Sequence, residues 1–318
     1  MNIIDQIKLI GIIPVIAIDN ADDAEPLAQA LVDGGLPCVE ITFRTAAAKE
    51  AITRIAKKYP SMLLGAGTVL TIDQVKTAVD AGVKFIVSPG LNPKIVEYCV
   101  ANNIPITPGT ATPSDVERAI ELGLETVKFF PAEGNGGLPY LKAISGPYNK
   151  IRFIPTGGID ETNLLAYLKF DKIVACGGSW MVKQDMIAKK QFDEIKKLTT
   201  RAVQLMLGFD IKHVGMNSAN EAEASANANA MSQLFSFPLK DGNSSIFTGT
   251  QIELMKQPYL GQHGHIAIGT NFIERAAAYF ERIGVKMLPE TKKEKDGKLI
   301  AVYLQKEIGG FAIHLLQN

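Results

Sequence analysis

The chain has 318 residues, of which 47% are hydrophobic and 21% are charged, a composition typical of a soluble globular protein with a large core. Its 33 basic and 33 acidic residues balance, so we expect no nucleic acid as main partner. Three cysteines without metal-ligand or CxxC spacing indicate reduced core residues of a cytoplasmic protein. Charges interrupt the apolar start, and no stretch approaches about 18 uninterrupted apolar residues, so we predict neither a signal peptide nor a membrane span.

Between residues 12 and about 180, short apolar runs alternate with longer helical patterns. The runs are "IIPVIAI", "CVEITF", "LLGAG", "FIVSPG", "IPITPG", "TVKFFPA", "IRFIPTGG" and "KIVACGG". Alternation of strand and helix predicts a parallel sheet, and eight repeats match the strand count of a (β/α)8 TIM barrel. An open doubly wound sheet is the rival fold, but no GxGxxG follows the first run. We therefore predict an α/β barrel over residues 1–207.

The pattern changes near residue 208, where Asn, Ala and Ser become frequent. Residues 209–318 contain a weak internal repeat. The segments "KHVGMN", an alanine-rich helix and "GTQIELMKQ" correspond to "GHIAIGT", "IERAAAYFERIG" and "GGFAIHLLQ". We therefore predict a second, smaller α+β domain over residues 208–318, built from two βαβββ modules.

Lys128 lies in the middle of the apolar run "TVKFFPA", although lysine is almost never fully buried unless it is paired or used. One interpretation is that its ammonium group extends to the end of the strand and reaches solvent. The other is that a desolvated amine acts there as a nucleophile toward a ketone. The residues alone leave both open.

Glu40 in "VEITFRT" places a carboxylate inside another apolar run. It either forms a structural ion pair with Lys128 or Arg44, or serves as a general acid/base near the lysine. Arg44 ends the same run, where a guanidinium can bind a carboxylate by two hydrogen bonds. Because the carboxyl ends of barrel strands meet at one mouth, we expect these three side chains to converge there.

Two glycine pairs end the seventh and eighth runs, "PTGGID" at 155–160 and "CGGSW" at 176–180. Glycine lets backbone N–H groups approach an anion closely. The loops after strands seven and eight are the common phosphate site of such barrels. The two pairs therefore predict a phosphate-binding site.

Six motifs in chain order, "VEITFRT", "GAGTVL", "SPGLNP", "VKFFPAEGNGG", "FIPTGGI" and "GGSW", resemble the class I aldolases for 2-keto-3-deoxy-6-phosphogluconate (KDPG) and 2-keto-4-hydroxyglutarate (KHG). The resemblance covers about residues 10 to 200. It implies a (β/α)8 barrel, a homotrimer and Schiff-base catalysis without a cofactor. The site residues that it implies are Lys128 as the Schiff-base lysine, Glu40 as the acid/base, Arg44 and Thr68 for the pyruvyl carboxylate, Phe130 as a pocket wall, and Thr156, Gly157, Gly158, Gly178 and Ser179 for the phosphate.

The expected activity is therefore cleavage of KDPG to pyruvate and glyceraldehyde 3-phosphate, with a small-molecule keto acid or phosphosugar acid as the partner. One alternative is cleavage of KHG to pyruvate and glyoxylate. Another is a sugar-phosphate sensor with a metal-binding tail. Asp19, where we expect a basic or neutral residue in many relatives, leaves the fine substrate preference open.

All four histidines lie beyond residue 210. We expect His213 and His265 just before the first strand of each module, and Glu253 and His314 in corresponding last strands. This pattern resembles the vicinal-oxygen-chelate family (glyoxalase and bleomycin-resistance proteins), in which these positions hold a divalent metal and a glutamate is usual in place of His314. The alternative is a packing or oligomerisation module in which these side chains make ordinary hydrogen bonds.

Overall fold

The computed structural model describes residues 1–318, and the chain divides into two compact units, Met1–Met206 and Leu207–Asn318. The helices are α1 (Ile3–Ile10), α2 (Ala24–Asp33), α3 (Ala48–Lys58), α4 (Ile72–Ala81), α5 (Pro93–Ala101), α6 (Pro113–Glu121), α7 (Gly137–Ser145), α8 (Leu164–Leu168), α9 (Gln184–Ala188), α10 (Phe192–Leu207), α11 (Glu221–Phe235) and α12 (Ile273–Arg282). Not one of them combines the length and the apolar character needed to cross a bilayer.

The first unit contains nine strands: β1 (Ile12–Ile16), β2 (Cys38–Thr42), β3 (Leu63–Gly67), β4 (Phe85–Val87), β5 (Ile106–Thr107), β6 (Gly109–Thr110), β7 (Thr126–Phe129), β8 (Arg152–Pro155) and β9 (Cys176–Gly178). They pair in the orders β5-β4-β3-β2-β1-β9 and β6-β7-β8, and the neighbouring strands in both orders are parallel. Two isolated parallel bridges, Phe153 to Ile173 and Thr156 to Gly177, link the β8 segment to the β9 segment. The predicted α/β unit with parallel strands is confirmed.

The fifth predicted strand differs from the expectation of one continuous run. It is divided into β5 and β6, which belong to different sheets. Pro108 lies between them and has no N–H group to donate to a neighbouring strand. Its carbonyl accepts a hydrogen bond from the N–H of Lys128 at 2.9 Å, which ties this break directly to the strand that carries the lysine.

The helices of the first unit begin where the sequence supplies capping side chains. Thr71 accepts a hydrogen bond from the third residue of its helix, and Thr112 forms a reciprocal capping box with Asp115. Such caps satisfy N–H groups that have no partner within the helix. Helix α3 then buries one face through Ala48, Ala51, Ile52 and Ile55, which directs its polar face outward.

The second unit contains strands β10 (Asp210–Asn217), β11 (Leu239–Asp241), β12 (Ser245–Thr248), β13 (Ile252–Met255), β14 (Gly264–Thr270), β15 (Lys293–Lys295), β16 (Lys298–Ile308) and β17 (Phe311–Gln317). With α11 and α12, each half has the order strand, helix and three strands. All eight strands form one sheet in the order β11-β12-β13-β10-β14-β17-β16-β15.

Helix α11 covers part of this sheet through Ala224 and Ala228, which pack on Ile246 and Leu254. Successive side chains of a strand point to opposite faces. Because Leu254 faces the helix, its neighbour Glu253 points to the other face of the sheet. That face carries the histidines described below.

Candidate active site and candidate metal centre

Lys128 on β7 and Glu40 on β2 are both buried, with 6% and 3% of their surfaces exposed. Lys128 Nζ lies 3.8 Å from Glu40 Oε1 and 4.8 Å from the centre of the Phe130 ring. Glu40 Oε1 accepts no hydrogen bond from any residue of the chain. The amine and the carboxylate therefore lie side by side in a buried site, without a hydrogen bond between them.

Gly67 at the end of β3 makes room for Glu40. A β-carbon at this position would lie 2.0 Å from Glu40 Oε1, which is far inside van der Waals contact. The motif "GAGTVL" therefore contributes the space for the carboxylate, a role that the sequence analysis did not find. Residue spacing along one strand carries no signal for it, because the contact crosses between strands.

Arg44, which is exposed, is oriented by Thr42. Its Nε–H donates to Thr42 Oγ1 at 3.1 Å, and the Thr42 hydroxyl donates to the carbonyl of Ile16 at 3.0 Å. Thr42 was missed by the sequence analysis. The available signal was its position two residues after Glu40, since alternate residues of a strand share a face.

Thr68 follows β3 with a φ of 56°, a left-handed conformation that threonine adopts only at a cost. This strain sits at a residue predicted to bind the pyruvyl carboxylate. Strained backbone occurs preferentially at functional sites.

The predicted phosphate residues occupy the ends of β8 and β9. Thr156 is buried and bridges to Gly177 on β9, so the turn after β8 lies beside β9, which ends at Gly178 and is followed by Ser179. Gly157 and Gly158 have φ values of 97° and 82°, which only glycine adopts readily. The structure therefore places these two glycine-rich ends next to each other.

Asp19, whose charge was unexpected, accepts a hydrogen bond from Gln184 Nε2 at 2.6 Å. Gln184 is the first residue of α9. The carboxylate thus links the segment after β1 to the helix after β9.

A family model described as KDPG and KHG aldolase matches residues 3–198 of this chain. The chain belongs to the KDPG and KHG aldolase family. The prediction of this family from the six motifs is confirmed. The match ends before His213, so the family assignment concerns the first unit.

Similar proteins support the same family assignment. The chain is 48% identical over 204 residues to the 2-dehydro-3-deoxy-phosphogluconate aldolase of Haemophilus influenzae, a match that covers 64% of this chain and 96% of the relative. It is 44% identical over 206 residues to the aldolase of the same name from Treponema pallidum, with coverages of 65% and 98%. Among solved structures, the KDPG aldolase of Legionella pneumophila, with pyruvate captured as a covalent carbinolamine, matches with a TM-score of 0.61 and 37% identity, over 62% of this chain and 97% of that one.

In the second unit, three of the predicted metal ligands form a tight group. His213 Nε2 and His265 Nε2 lie 3.1 Å from each other, and each lies 3.1 Å from Glu253 Oε2. His314 completes the group, with ligand atoms of the three histidines all within 4.8 Å of one another. His263 does not join it; it is exposed and contacts Phe311.

Strand register explains how these residues meet. Glu253, Gly215 and His265 lie side by side in one row across β13, β10 and β14, and His213, Ala267 and His314 form a second row across β10, β14 and β17. Each row places a small residue between two large polar ones. A β-carbon at Gly215 would lie 2.1 Å from the His265 ring. His213 and His265 lie within their strands, not before them as the sequence analysis expected.

The ionisation of the cluster follows from its surroundings. Burial, followed by the nearby His265 and His213, lowers the pKa of His314 to about 3. Burial acts to raise the pKa of Glu253, but hydrogen bonds with His213, His265 and Ser245 outweigh it and hold that pKa below its ordinary value. The result is a neutral imidazole beside an ionised carboxylate, both in the form that binds a metal ion.

Ser245 on β12 fixes the direction of this carboxylate. Its hydroxyl donates to Glu253 Oε1 at 2.5 Å, which leaves Oε2 to face the two histidines. Tyr303 stacks on His314 with ring centres 4.7 Å apart. The sequence analysis missed both residues, because neither lies near the histidines along the chain.

Proposed function

We propose that this chain is a class I aldolase that cleaves KDPG to pyruvate and glyceraldehyde 3-phosphate through a Schiff base on Lys128. The observation that carries the proposal is a buried amine 3.8 Å from a buried carboxylate in a unit that belongs to the KDPG and KHG aldolase family. A nucleophile and an acid/base close to each other are the two groups that this reaction requires.

We infer that the parallel strands close into a (β/α)8 barrel over residues 1–207, with β5 and β6 together as its fifth strand. Pairing of β1 with both β2 and β9 supports this closure, as do the two bridges between the β8 and β9 segments. In a barrel, the residues at the carboxyl ends of the strands share one mouth. Such a mouth would receive the substrate.

In the proposed reaction, uncharged Lys128 Nζ attacks C2 of the keto acid, and loss of water forms an iminium. Glu40 takes the proton from the C4 hydroxyl, the C3–C4 bond breaks, and its electron pair moves into the iminium to form an enamine. The aldehyde leaves, C3 is reprotonated, and hydrolysis returns the lysine and releases pyruvate. Because the iminium itself is the electron sink, this sequence needs no cofactor.

Substrate binding divides between two ends of the site. Arg44, held through its Nε by Thr42, would present its terminal N–H groups to the carboxylate of the substrate, together with Thr68. The Phe130 ring would form a wall beside the amine. Thr156, Gly157, Gly158, Gly178 and Ser179 would bind the phosphate through their hydroxyl and backbone N–H groups.

Borohydride reduction in the presence of pyruvate tests the covalent step. We expect one adduct per chain on Lys128 and none in Lys128→Ala. The matched control is Lys142→Ala, since Lys142 also lies over an aromatic ring, that of Phe170. Equal trapping in Lys128→Ala would refute the assignment.

Retro-aldol rates with KDPG and KHG test the substrate. We expect higher kcat/KM for KDPG, and Ser179→Asp should reduce only the rate with KDPG, since a carboxylate there would repel the phosphate. Higher kcat/KM for KHG would favour the alternative substrate, and lack of turnover with both would favour the sensor. The homotrimer and the cytoplasmic location stay predictions. Light scattering of the purified protein would measure its oligomeric state.

We further propose that the second unit, residues 208–318, is a vicinal-oxygen-chelate-like domain that holds a divalent metal ion through His213, Glu253, His265 and His314. The residues fit such an ion. Three donor atoms at mutual distances of 3.1 Å lie about 1.8 Å from the centre of their triangle, so one ion can reach all three at about 2.1 Å. Both nitrogens of buried His314 lack a hydrogen-bond partner, which is costly unless something else satisfies them.

Metal analysis of the purified protein tests this second proposal. We expect about one divalent ion per chain, lost in His265→Ala and retained in the control His263→Ala. Equal metal content in both variants would refute it. When bound, such an ion would supply Lewis-acid chemistry, since nitrogen and carboxylate ligands suit Zn, Mn, Fe or Ni.

A further inference from the structure

Glu133, in the loop after β7, contacts the glycine turn after β8 through its backbone. Its N–H donates to the carbonyl of Gly157 at 3.0 Å, and the N–H of Ala132 donates to the carbonyl of Thr156 at 2.8 Å. Two consecutive hydrogen bonds therefore attach this loop to the turn. The shape of the turn depends on where the loop lies.

The side chain of Glu133 covers the same turn. A β-carbon at Gly158 would lie 2.6 Å from both Cβ and Cγ of Glu133. On the far side of the turn, Asn163 Nδ2 donates to the carbonyl of Gly158 at 2.9 Å. Both glycine carbonyls are thus bound within the protein. Since N–H and C=O point in opposite directions across a trans peptide, the N–H of Gly158 points away from the Gly157 carbonyl and Glu133.

The carboxylate of Glu133 is held by Tyr167. The Tyr167 hydroxyl donates to Glu133 Oε1 at 2.5 Å. Tyr167 belongs to α8, the helix that follows the glycine turn, and only 1% of its surface is exposed. Burial, followed by the Glu133 carboxylate, raises the pKa of Tyr167, so the hydroxyl keeps the proton that it donates. A buried donor therefore holds the carboxylate of an exposed residue.

We propose that Tyr167 and Glu133 are positioning residues for substrate phosphate: Tyr167 holds the Glu133 side chain against the Gly157–Gly158 turn and thereby keeps the turn in the shape that binds the anion. This inference rests on the aldolase function proposed above. Without the hydroxyl, the Glu133 side chain is no longer fixed against the turn. The turn would also lose its fixed backbone partner. The pair thus favours phosphorylated substrates over unphosphorylated ones.

Kinetics of Tyr167→Phe with two substrates test the proposal. For KDPG we expect KM to rise about tenfold, the low end for loss of one hydrogen bond to a charged group, with kcat within about twofold of wild type. For KHG, which has no phosphate, both parameters stay within about twofold. Inorganic phosphate, used as a competitive inhibitor, should bind Tyr167→Phe more weakly by the same factor.

Four further variants sharpen this test. Tyr148→Phe is the matched control, because the Tyr148 hydroxyl also donates to a glutamate, Glu117, at 3.2 Å. Tyr148 precedes β8, whereas the glycine turn follows it. Glu133→Gln keeps an acceptor for Tyr167 and should leave KM for KDPG unchanged. Glu133→Ala should reproduce Tyr167→Phe, and the double variant should be no worse than either.

Two results would overturn the proposal. One is an equal rise of KM for both substrates in Tyr167→Phe, which would indicate a purely structural role; the other is an unchanged KM for both. If Tyr167→Phe does not fold, Glu133→Ala decides in its place, since Glu133 is exposed. Failure of the aldolase function looks different, because wild-type protein would then turn over neither substrate.

Discussion

In the first unit, one amine and one carboxylate lie 3.8 Å apart in a buried site; in the second, two imidazoles and a carboxylate oxygen converge to 3.1 Å. The first arrangement pairs an amine with a carboxylate, and no hydrogen bond joins the two groups. The second gathers lone pairs without a lysine or arginine among them. Burying a charge is costly without a partner. The first site therefore suits a reacting carbon between its groups, whereas the second suits a metal cation.

The two sites share one device, which is a glycine on a neighbouring strand. A β-carbon at Gly67 would overlap Glu40, and one at Gly215 would overlap His265. Neither glycine has a positive φ, so each is needed for space and not for backbone conformation. The comparison can be tested by removing either the functional groups or the space that they occupy.

The largest effect is expected for Glu40→Gln, which removes the acid/base but keeps the shape. We expect kcat for KDPG cleavage to fall by about a hundredfold to ten-thousandfold, the usual contribution of general acid–base catalysis. Trapping of pyruvate on Lys128 should persist. Glu50→Gln, on the exposed surface, is the control. Equal kcat in the two variants would show that Glu40 serves only as the partner of a structural ion pair.

Gly67→Ala keeps every functional group and fills the space beside Glu40. Displacement of a catalytic group by about 1 Å costs on the order of a hundredfold in rate, so we expect a loss of that size in kcat/KM. Gly90→Ala should have no such effect, because a β-carbon there meets nothing within 4 Å. A fully active Gly67→Ala would mean that Glu40 can move without consequence.

Gly215→Ala is the counterpart in the second unit. By pushing the His265 ring out of its row, it should weaken binding of Co²⁺ or Zn²⁺ by about ten- to a hundredfold, as measured by calorimetry. The retro-aldol rate should remain that of the wild type. Unchanged metal affinity would contradict the arrangement of ligands in two rows.

The smallest effect is expected for Ser245→Ala. Loss of the hydrogen bond to Glu253 Oε1 should lower metal affinity by about tenfold, the low end for groups that orient a ligand, and change the visible spectrum of bound Co²⁺. Ser245→Thr should restore both. The control Thr248→Val removes another buried hydroxyl of the same strand, one that has no hydrogen-bond partner, and it should bind metal like the wild type.

Much of the first site could be predicted because its signals are local. Lys128 and Glu40 stand out as ionisable residues within apolar strands, and adjacent residues are enough to recognise a strand by its pattern. Glycine pairs at the ends of the last two strands indicated a phosphate site for the same reason. The interruption at Pro108 was also visible, but the apolar residues around it resembled one continuous strand.

What the sequence by itself determined is the alternation of strands and helices, the family of the first unit and the polar residues of both clusters. Only the tertiary structure decided which atoms meet: Thr42 with Arg44, Gly67 with Glu40, Ser245 with Glu253, and Tyr167 with Glu133. These contacts depend on strand register and helix placement, which bring together residues up to 34 positions apart. Local patterns establish which face of a strand is buried, but they do not tell which residue of a neighbouring strand or helix lies opposite.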